Sequence, residues 1–485
     1  MRRIVVMLLA TALLVVWPLA AAQTSQPAAN AEPTVQEDFN GDSIPDLAIA
    51  APDETLGGAE AAGVVHVLYG GTSAGLTATG SQLWSQETPG VAGTPEGLDR
   101  FGAALASGDY NGDGRADLAI GAPGENASSG VVHVLYGSAA GLTATGSQLW
   151  SQDSPGIGGT AEANDQFGDA LAAGDFAGDG RTDLAVGAFG ENDFAGVVNV
   201  LYGSAAGLTA TGSQLWSQDS PGVAGTAEGG DQFGFALAAA DPNGDFRGEL
   251  AVGAPGENDN AGVVHVLIGS PAGLTATGSQ LWSQDSPGVA GAAEFDDRFG
   301  NALTSGDFSG DSRGDLAVGA PGENTFSGVI HVLYGSAAGL TATGSQLWSQ
   351  ASPGVAGEPE GADFFGLALA AGDFNGDARA ELAVGAPGEN VNTGVVHVLL
   401  GSAGGVTATG SQLWSQDSPG VAGTAEQGDF FGDVLAAGTL TSEGGAAATS
   451  RTPSRQTEPF TGRSPVRGSL GLRETERSAR KPHKQ

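Results

Sequence analysis

Short apolar runs separated by glycine-rich polar turns recur along this chain, and no run carries an apolar stripe at helical spacing. Beginning at Phe101, an apolar stretch to Ala106 is followed by a polar segment from Asp109 to Asp117. Leu118-Ala119-Ile120 comes next and ends at Gly121-Ala122-Pro123-Gly124. A run rich in β-branched residues, Val131-Val132-His133-Val134-Leu135-Tyr136, follows, and Ser147-Gln148-Leu149-Trp150 is reached through a Gly-Leu-Thr-Ala-Thr-Gly turn. Residues of this kind suit a pleated surface packed on one or both sides, so the pattern predicts four short strands bounded by turns.

The pattern repeats every 66 residues. Trp84, Trp150, Trp216, Trp282, Trp348 and Trp414 keep that spacing, as do the Phe-Gly pairs beginning at Phe101, Phe167, Phe233, Phe299, Phe365 and Phe431. A β-solenoid coil needs roughly 20–30 residues, whereas four strands in one longer unit describe a propeller blade. The expected fold is therefore an all-β propeller with six visible repeats, closed either as six blades or as a truncated seven-bladed ring. The repeated Phe and Trp are expected to pack within and between blades. The first unit lacks the Phe-Gly strand, so residues 431 to 436 are candidates to complete it and remove an exposed edge.

The polar segment after the first strand of each unit carries the chemistry. In Asp109-Tyr110-Asn111-Gly112-Asp113-Gly114-Arg115-Ala116-Asp117, oxygen-bearing side chains stand at positions 1, 3, 5 and 9. Asp109, Asn111 and Asp113 can converge where the glycines let the backbone wrap, the Arg115 carbonyl offers a further oxygen, and Asp117 closes the set. An oxygen-only acidic loop suits Ca²⁺, because Mg²⁺ demands tighter octahedral geometry, and no soft ligand argues for zinc or copper. The first copy has Asp38, Asn40, Asp42 and Asp46. The third has Asp175, Asp179 and Asp183, with Ala177 in place of the position-3 oxygen, which predicts a weaker site. The fourth has Asp241, Asn243, Asp245 and Glu249; the fifth Asp307, Ser309, Asp311 and Asp315; the sixth Asp373, Asn375, Asp377 and Glu381. The spacing is not that of an EF-hand, whose final acid stands at position 12 between helices.

Phe-Gly, the acidic loop and Gly-Ala-Pro, in this order, resemble the FG-GAP repeat of integrin α-subunit propellers and their bacterial secreted relatives, over roughly residues 38 to 438. The resemblance implies an integrin-like propeller, usually of seven blades, with calcium in hairpin loops on one face. It also implies adhesion or ligand recognition as a common role. Some relatives attach the repeats to hydrolase domains, and this chain is expected to hold none.

Charge and composition narrow the partners. The chain has 55 acidic and 18 basic residues, and nine of the basic ones lie after Ser450. So acidic a body repels nucleic acid and anionic lipid and welcomes divalent cations, and the resemblance implies an extracellular protein or glycan as the ligand. Arg2 and Arg3 precede an apolar run from Ile4 to Leu19 and a small-residue stretch, Ala20-Ala21-Ala22. This reads as a signal peptide over 1–22, followed by a linker over 23–37, and the protein is expected to be secreted or held in the cell envelope without an integral membrane segment. There is no cysteine, hence no disulfide and no lipid-anchoring cysteine. Residues 38–440 form the propeller. Residues 441–485 turn abruptly basic and read as a disordered tail or as a frame-shifted seventh repeat. His133, His265, His331 and His397 recur at one strand position, with His66 and Asn199 as counterparts. No serine or cysteine recurs with them as an evident triad, so the chain is expected not to be an enzyme. Recognition and a calcium-stabilised structural role then compete. The segments that vary most, such as 94–100, 161–166 and 358–363, favour recognition if they share one rim.

Overall fold

The computed structural model describes residues 38–71 and 75–435, which form six antiparallel sheets arranged radially as a six-bladed β-propeller. The segment 1–22 expected to be a signal peptide, the expected linker over 23–37, residues 436–440 of the expected propeller and the basic tail lie outside the described residues.

The first sheet has three strands, β1 (Leu47–Ala51), β2 (Val64–Gly71) and β3 (Gly75–Trp84). The second has four, β4 (Ala104–Gly108), β5 (Asp117–Ala122), β6 (Val131–Tyr136) and β7 (Thr143–Trp150), paired in chain order. The four later sheets repeat this arrangement. The register places Ile120 and Leu149 on either side of His133, with an irregularity between Val134 and Tyr136. The predicted second and third strands appear with small changes of boundary. Two predictions shift. Thr143 to Gly146, read as turn, belongs to β7, because two of these four residues are threonines that fit the pleat. Phe101-Gly102, read as strand, is instead a turn that seats each unit on the one before: Phe101 N–H donates to the Ala62 carbonyl and Gly102 N–H to the Gly121 carbonyl.

The core lies between blades. One cluster joins Val65, Val67 and Trp84 of the first unit to Phe101, Leu118 and Ile120 of the second, and equivalent clusters fill each following interface. Complete burial of each Phe of the Phe-Gly pairs contributes about 2–3 kcal/mol. Polar staples reinforce the seams. Tyr69 Oη donates to Gln82 Oε1 at 2.5 Å and accepts from Leu142 N–H of the next unit at 3.2 Å, and Gln82 Nε2 donates to the Leu142 carbonyl at 2.9 Å.

The two ends of the array differ from the middle. All five residues of β1 are half-buried where their counterparts in β5 are buried, and His66 is exposed whereas His133, His265, His331 and His397 are buried. Among the described residues no strand other than β2 pairs with β1, which explains both, since the buried histidines pack against the Phe of their own unit, as Phe101 does edge-on to His133. At the other end, Phe431 N–H donates to the Thr393 carbonyl, and Phe431 and Leu435 close the apolar face of the sixth sheet. Phe431-Gly432 thus takes the seat that a following blade would use.

Candidate functional site

Strand alternation divides the loops between two rims. Each β4-type strand runs into an acidic loop, β5 returns to the Gly-Ala-Pro-Gly turn, β6 descends and β7 returns toward the segment that precedes the next Phe-Gly. The acidic loops therefore share one rim, and the post-Gly-Ala-Pro turns and the variable segments share the other.

On the first rim, the loop wraps around its position-1 aspartate. Asp109 Oδ1 accepts from Gly112 and Asp113 N–H at 2.6 and 3.0 Å, and Oδ2 from Gly114 N–H at 2.8 Å. Gly112 and Gly114 sit at φ 74° and 84°, the left-handed region this wrap requires. The same three-amide cradle holds Asp38, Asp175, Asp241, Asp307 and Asp373. Position 9 is buried beneath the loop. Asp117 accepts from Tyr110 and Gly137 N–H at 3.0 and 2.9 Å, fastening loop to sheet; Asp46 and Asp183 make the equivalent pair of bonds, and Asp315 accepts from Ser309 and Gly335 N–H. Glu249 and Glu381 accept from the side-chain amides of Asn243 and Asn375, each at 2.6 Å, and Glu381 also takes Phe374 N–H at 2.7 Å. Burial, helped by Asp109 and Asp113, pushes the Asp117 carboxyl up to about 8, and burial raises Asp183 and Asp315 to about 7.

Positions 3 and 5 are engaged differently. Asn40 and Asn243 accept from the N–H of Asp42 and Asp245, Ser309 Oγ contacts Asp307, and Asn111 Oδ1 is buried without a partner. Asp42 accepts from Ile44 N–H. Asp113, Asp179, Asp245, Asp311 and Asp377 each pair with the arginine two residues on, at 3.2–4.0 Å. These arginines do more than lend a carbonyl: the Arg115 side chain also lies over Gly41 of the preceding loop, so a guanidinium bridges consecutive acidic loops. Among the described residues, no three carboxylates or imidazoles stand together as a ligand group. The donor chemistry fits a hard cation, and the unpartnered buried oxygens Asn111 Oδ1 and Glu249 Oε2 are where one would be met.

The second rim holds what the sequence reading missed. After each Gly-Ala-Pro-Gly, or Gly-Ala-Phe-Gly in the third unit, three consecutive non-glycine residues adopt left-handed backbone, as Asn258, Asp259 and Asn260 do at φ 55°, 59° and 62°. Such residues cost roughly 1–2 kcal/mol each, and strain of this kind gathers at functional positions. The turns hydrogen-bond to the variable segments: Asn164 N–H donates to the Ala127 carbonyl, Asp296 N–H to Asp259 and Ala362 N–H to Thr325. Gly124 permits the approach, since a Cβ there would lie 1.7 Å from the Leu98 carbonyl. The paired loops expose large apolar side chains, with Leu98 66%, Phe295 76% and Val391 68% accessible. A polar cleft of about 320 Å³ lies within the second unit, between its strained turn and its variable segment, lined in part by Asn126, Ser151, Asp153 and Glu162.

Beneath this rim a second acidic motif recurs. Gln86, which follows Trp84, donates to Glu125 of the next unit at 2.5 Å, and the carboxyl of Glu125 meets that of Asp99. Burial first, then Asp99, pushes Glu125 up to about 7. Gln, Asp and Glu keep these positions at 66-residue intervals, a signal as regular as that of the acidic loops but hidden because the three lie far apart in sequence. The buried histidines are neutral, burial pushing His133, His265, His331 and His397 down to about 4.

Comparison with known proteins agrees with the repeat. The FG-GAP repeat family matches residues 35–68, 101–135, 233–267, 299–333 and 365–399. Integrin alpha-PS2 of Drosophila melanogaster is 32% identical over 242 residues, 47% of this chain and 16% of that protein. Phosphatidylinositol-glycan-specific phospholipase D of Homo sapiens is 30% identical over 312 residues, 59% of this chain and 35% of that protein. Integrin alpha-M of Mus musculus is 47% identical over 96 residues, 19% of this chain and 8% of that protein. The chain thus spans well under half the length of these relatives. The expectation that the chain is not an enzyme is corrected: a phospholipase is among the relatives that match it, so a flat exclusion does not stand, and the missing triad considered only one kind of chemistry. No helix among the described residues is long and apolar enough to cross a membrane.

Proposed function

We propose that this FG-GAP repeat protein, an integrin-α-like six-bladed propeller, recognises an extracellular protein or glycan through the rim that carries its variable turns, while calcium bound by the opposite loops holds the blades in register. The observation that carries the reading is the grouping of variation. Among near-identical units, the residues that differ most fall in the paired loops of one rim, and those loops are strained, exposed and apolar in places. The polar cleft there offers hydroxyl, amide and carboxylate groups of the kind that hold a sugar.

Calcium is assigned to the loops by their chemistry. Each carries acids at positions 1, 5 and 9 of one turn, and drawing their oxygens toward one point at neutral pH favours a bound cation over an empty loop. The ligands are the side chains at positions 1, 3, 5 and 9, with the position-7 carbonyl adding an oxygen. The ion supplies charge neutralisation and rigidity, and the buried position-9 acid passes that rigidity to the strand beneath.

The test is a binding screen of the metal-stripped and calcium-loaded protein against immobilised matrix proteins and polysaccharides. The joint substitution Phe295→Ser and Val391→Ser is expected to abolish the strongest interaction, and Phe246→Ser, on the opposite rim, to leave it intact. Binding that ignores the first pair and depends on the second would overturn the assignment of the rim.

A further inference from the structure

We propose that the interfaces between successive blades hold a divalent-cation site on the recognition rim, distinct from the acidic loops and built from a glutamine and an aspartate at the end of one unit and a glutamate of the next. The interface between the fourth and fifth units shows the argument. Gln284, 1% exposed, donates from Nε2 to Glu323 Oε2 at 2.5 Å, while its Oε1 is buried with no partner. Asp297, also buried, meets Glu323 carboxyl to carboxyl and is fixed by Glu294 N–H at 2.7 Å. Gly322 N–H donates to the Asp297 backbone carbonyl at 3.1 Å, which holds the two acidic segments together.

Two deficits coincide here. Carboxylates in contact cannot both ionise without a compensating positive charge, and a buried amide oxygen without a donor costs about 1–3 kcal/mol. A proton shared by the carboxyls removes the first deficit and leaves the second. A hard cation neutralises the first, and turning the amide about its last torsion, which exchanges Nε2 and Oε1, gives the oxygen a partner beside the carboxylates. Two carboxylates and an amide oxygen, with one side open to water at half-buried Glu323, make an oxygen-only set for calcium or magnesium. The unpartnered glutamine oxygen recurs at Gln86, Gln152, Gln218 and Gln350, each beside the equivalent glutamate, so five complete copies exist among the described residues. A cation in this position ties the closing segment of one blade to the strained turn of the next and couples metal occupancy to the shape of the recognition rim.

The experiment uses the full chain, stripped of metal and titrated with terbium, calcium and magnesium. Trp282 lies two residues from Gln284 and Trp stands at that spacing in every copy, so terbium bound at the interfaces is excited through indole. The nearly isosteric double variant Asp297→Asn, Glu323→Gln is expected to lose about one-fifth of the indole-excited emission and about one bound calcium or magnesium per chain by equilibrium dialysis. Gln284→Met, which removes only the amide oxygen, is expected to weaken the same site about tenfold. The loop variant Asp307→Asn, Asp311→Asn is expected to lose one calcium and keep the emission. Unchanged ion count and emission in the folded interface variants would overturn the proposal and assign the carboxyl pair a shared proton. Loss at the interface with no loss in the loop variant would overturn the loop assignment and leave this one standing.

Discussion

Replacement of His331 by Asn isolates the contribution of one buried imidazole to acid stability. His331 is 1% exposed and packs edge-on to Phe299 at 5.1 Å, its Nε2 is unpartnered, and burial pushes it down from 6.5 to about 4. Between pH 6.5 and 4 the unfolded chain binds a proton here that the folded chain refuses. The neutral ring's contribution is therefore fully present above pH 6.5 and is lost as pH falls toward 4. A shift of this size corresponds to about 3 kcal/mol over the whole interval, or about 1.4 kcal/mol per pH unit at the steepest. Asn occupies this strand position naturally as Asn199, also buried, so the variant is expected to fold. Urea unfolding from pH 7.5 to 4.5, with calcium held constant, should show wild-type protein losing about 2–3 kcal/mol more than His331→Asn. Carboxylates that titrate in the same range are common to both proteins and cancel in the difference. Parallel stability curves for the two would refute the reasoning.

The other predictions concern packing and ligands. Phe299→Ala empties a fully buried position between two blades and should cost about 3–5 kcal/mol in denaturant unfolding, whereas Phe246→Ala, 88% exposed, should stay within about 0.5 kcal/mol. Gly319→Ala places a Cβ 2.1 Å from the Gly366 carbonyl of the next blade, so it should lower the melting temperature by several degrees more than Gly344→Ala, whose Cβ meets nothing within 4 Å and carries only the cost of φ 80°. Ala177→Asn restores the oxygen missing from the third loop and should tighten the weakest class of calcium sites in an equilibrium-dialysis isotherm, and an unchanged isotherm would remove position 3 from the ligand set.

Much of the fold was legible because the repeat turns one reading into six. The register of Trp and Phe-Gly, the β-branched run at 131–136 and the acidic loop were each confirmed as elements by recurring in unit after unit. What escaped was whatever depends on two units at once. Phe-Gly read as strand because its neighbours are apolar, yet its work is to dock on the preceding blade, and only the Phe101 to Ala62 bond reveals it. Gln86, Asp99 and Glu125 lie up to 39 residues apart, and no local pattern joins them. Arg115 was read for its carbonyl alone because a single loop does not show the neighbour its guanidinium covers.

The same distinction bears on how the ring carries its function. Within a blade, the strands pair along their length and leave little to vary. Between blades, contact is made by Phe rings, the Tyr–Gln staples, bridging arginines and buried acids, and at each seam the acids sit near an opposite rim. Negative charge accumulated at the seams weakens the ring unless a cation neutralises it, so the seams, more than the sheets, make the assembly responsive to metal. The variable segments ride directly on those seams, bonded on one side to their own unit's turn, as Asn164 is to Ala127, and on the other to the next unit, whose Gly190 N–H donates to the Asp165 carbonyl. A change in how adjacent blades meet is therefore a change in the recognition rim itself, and a propeller with the turns and acids at blade centres would lack that coupling.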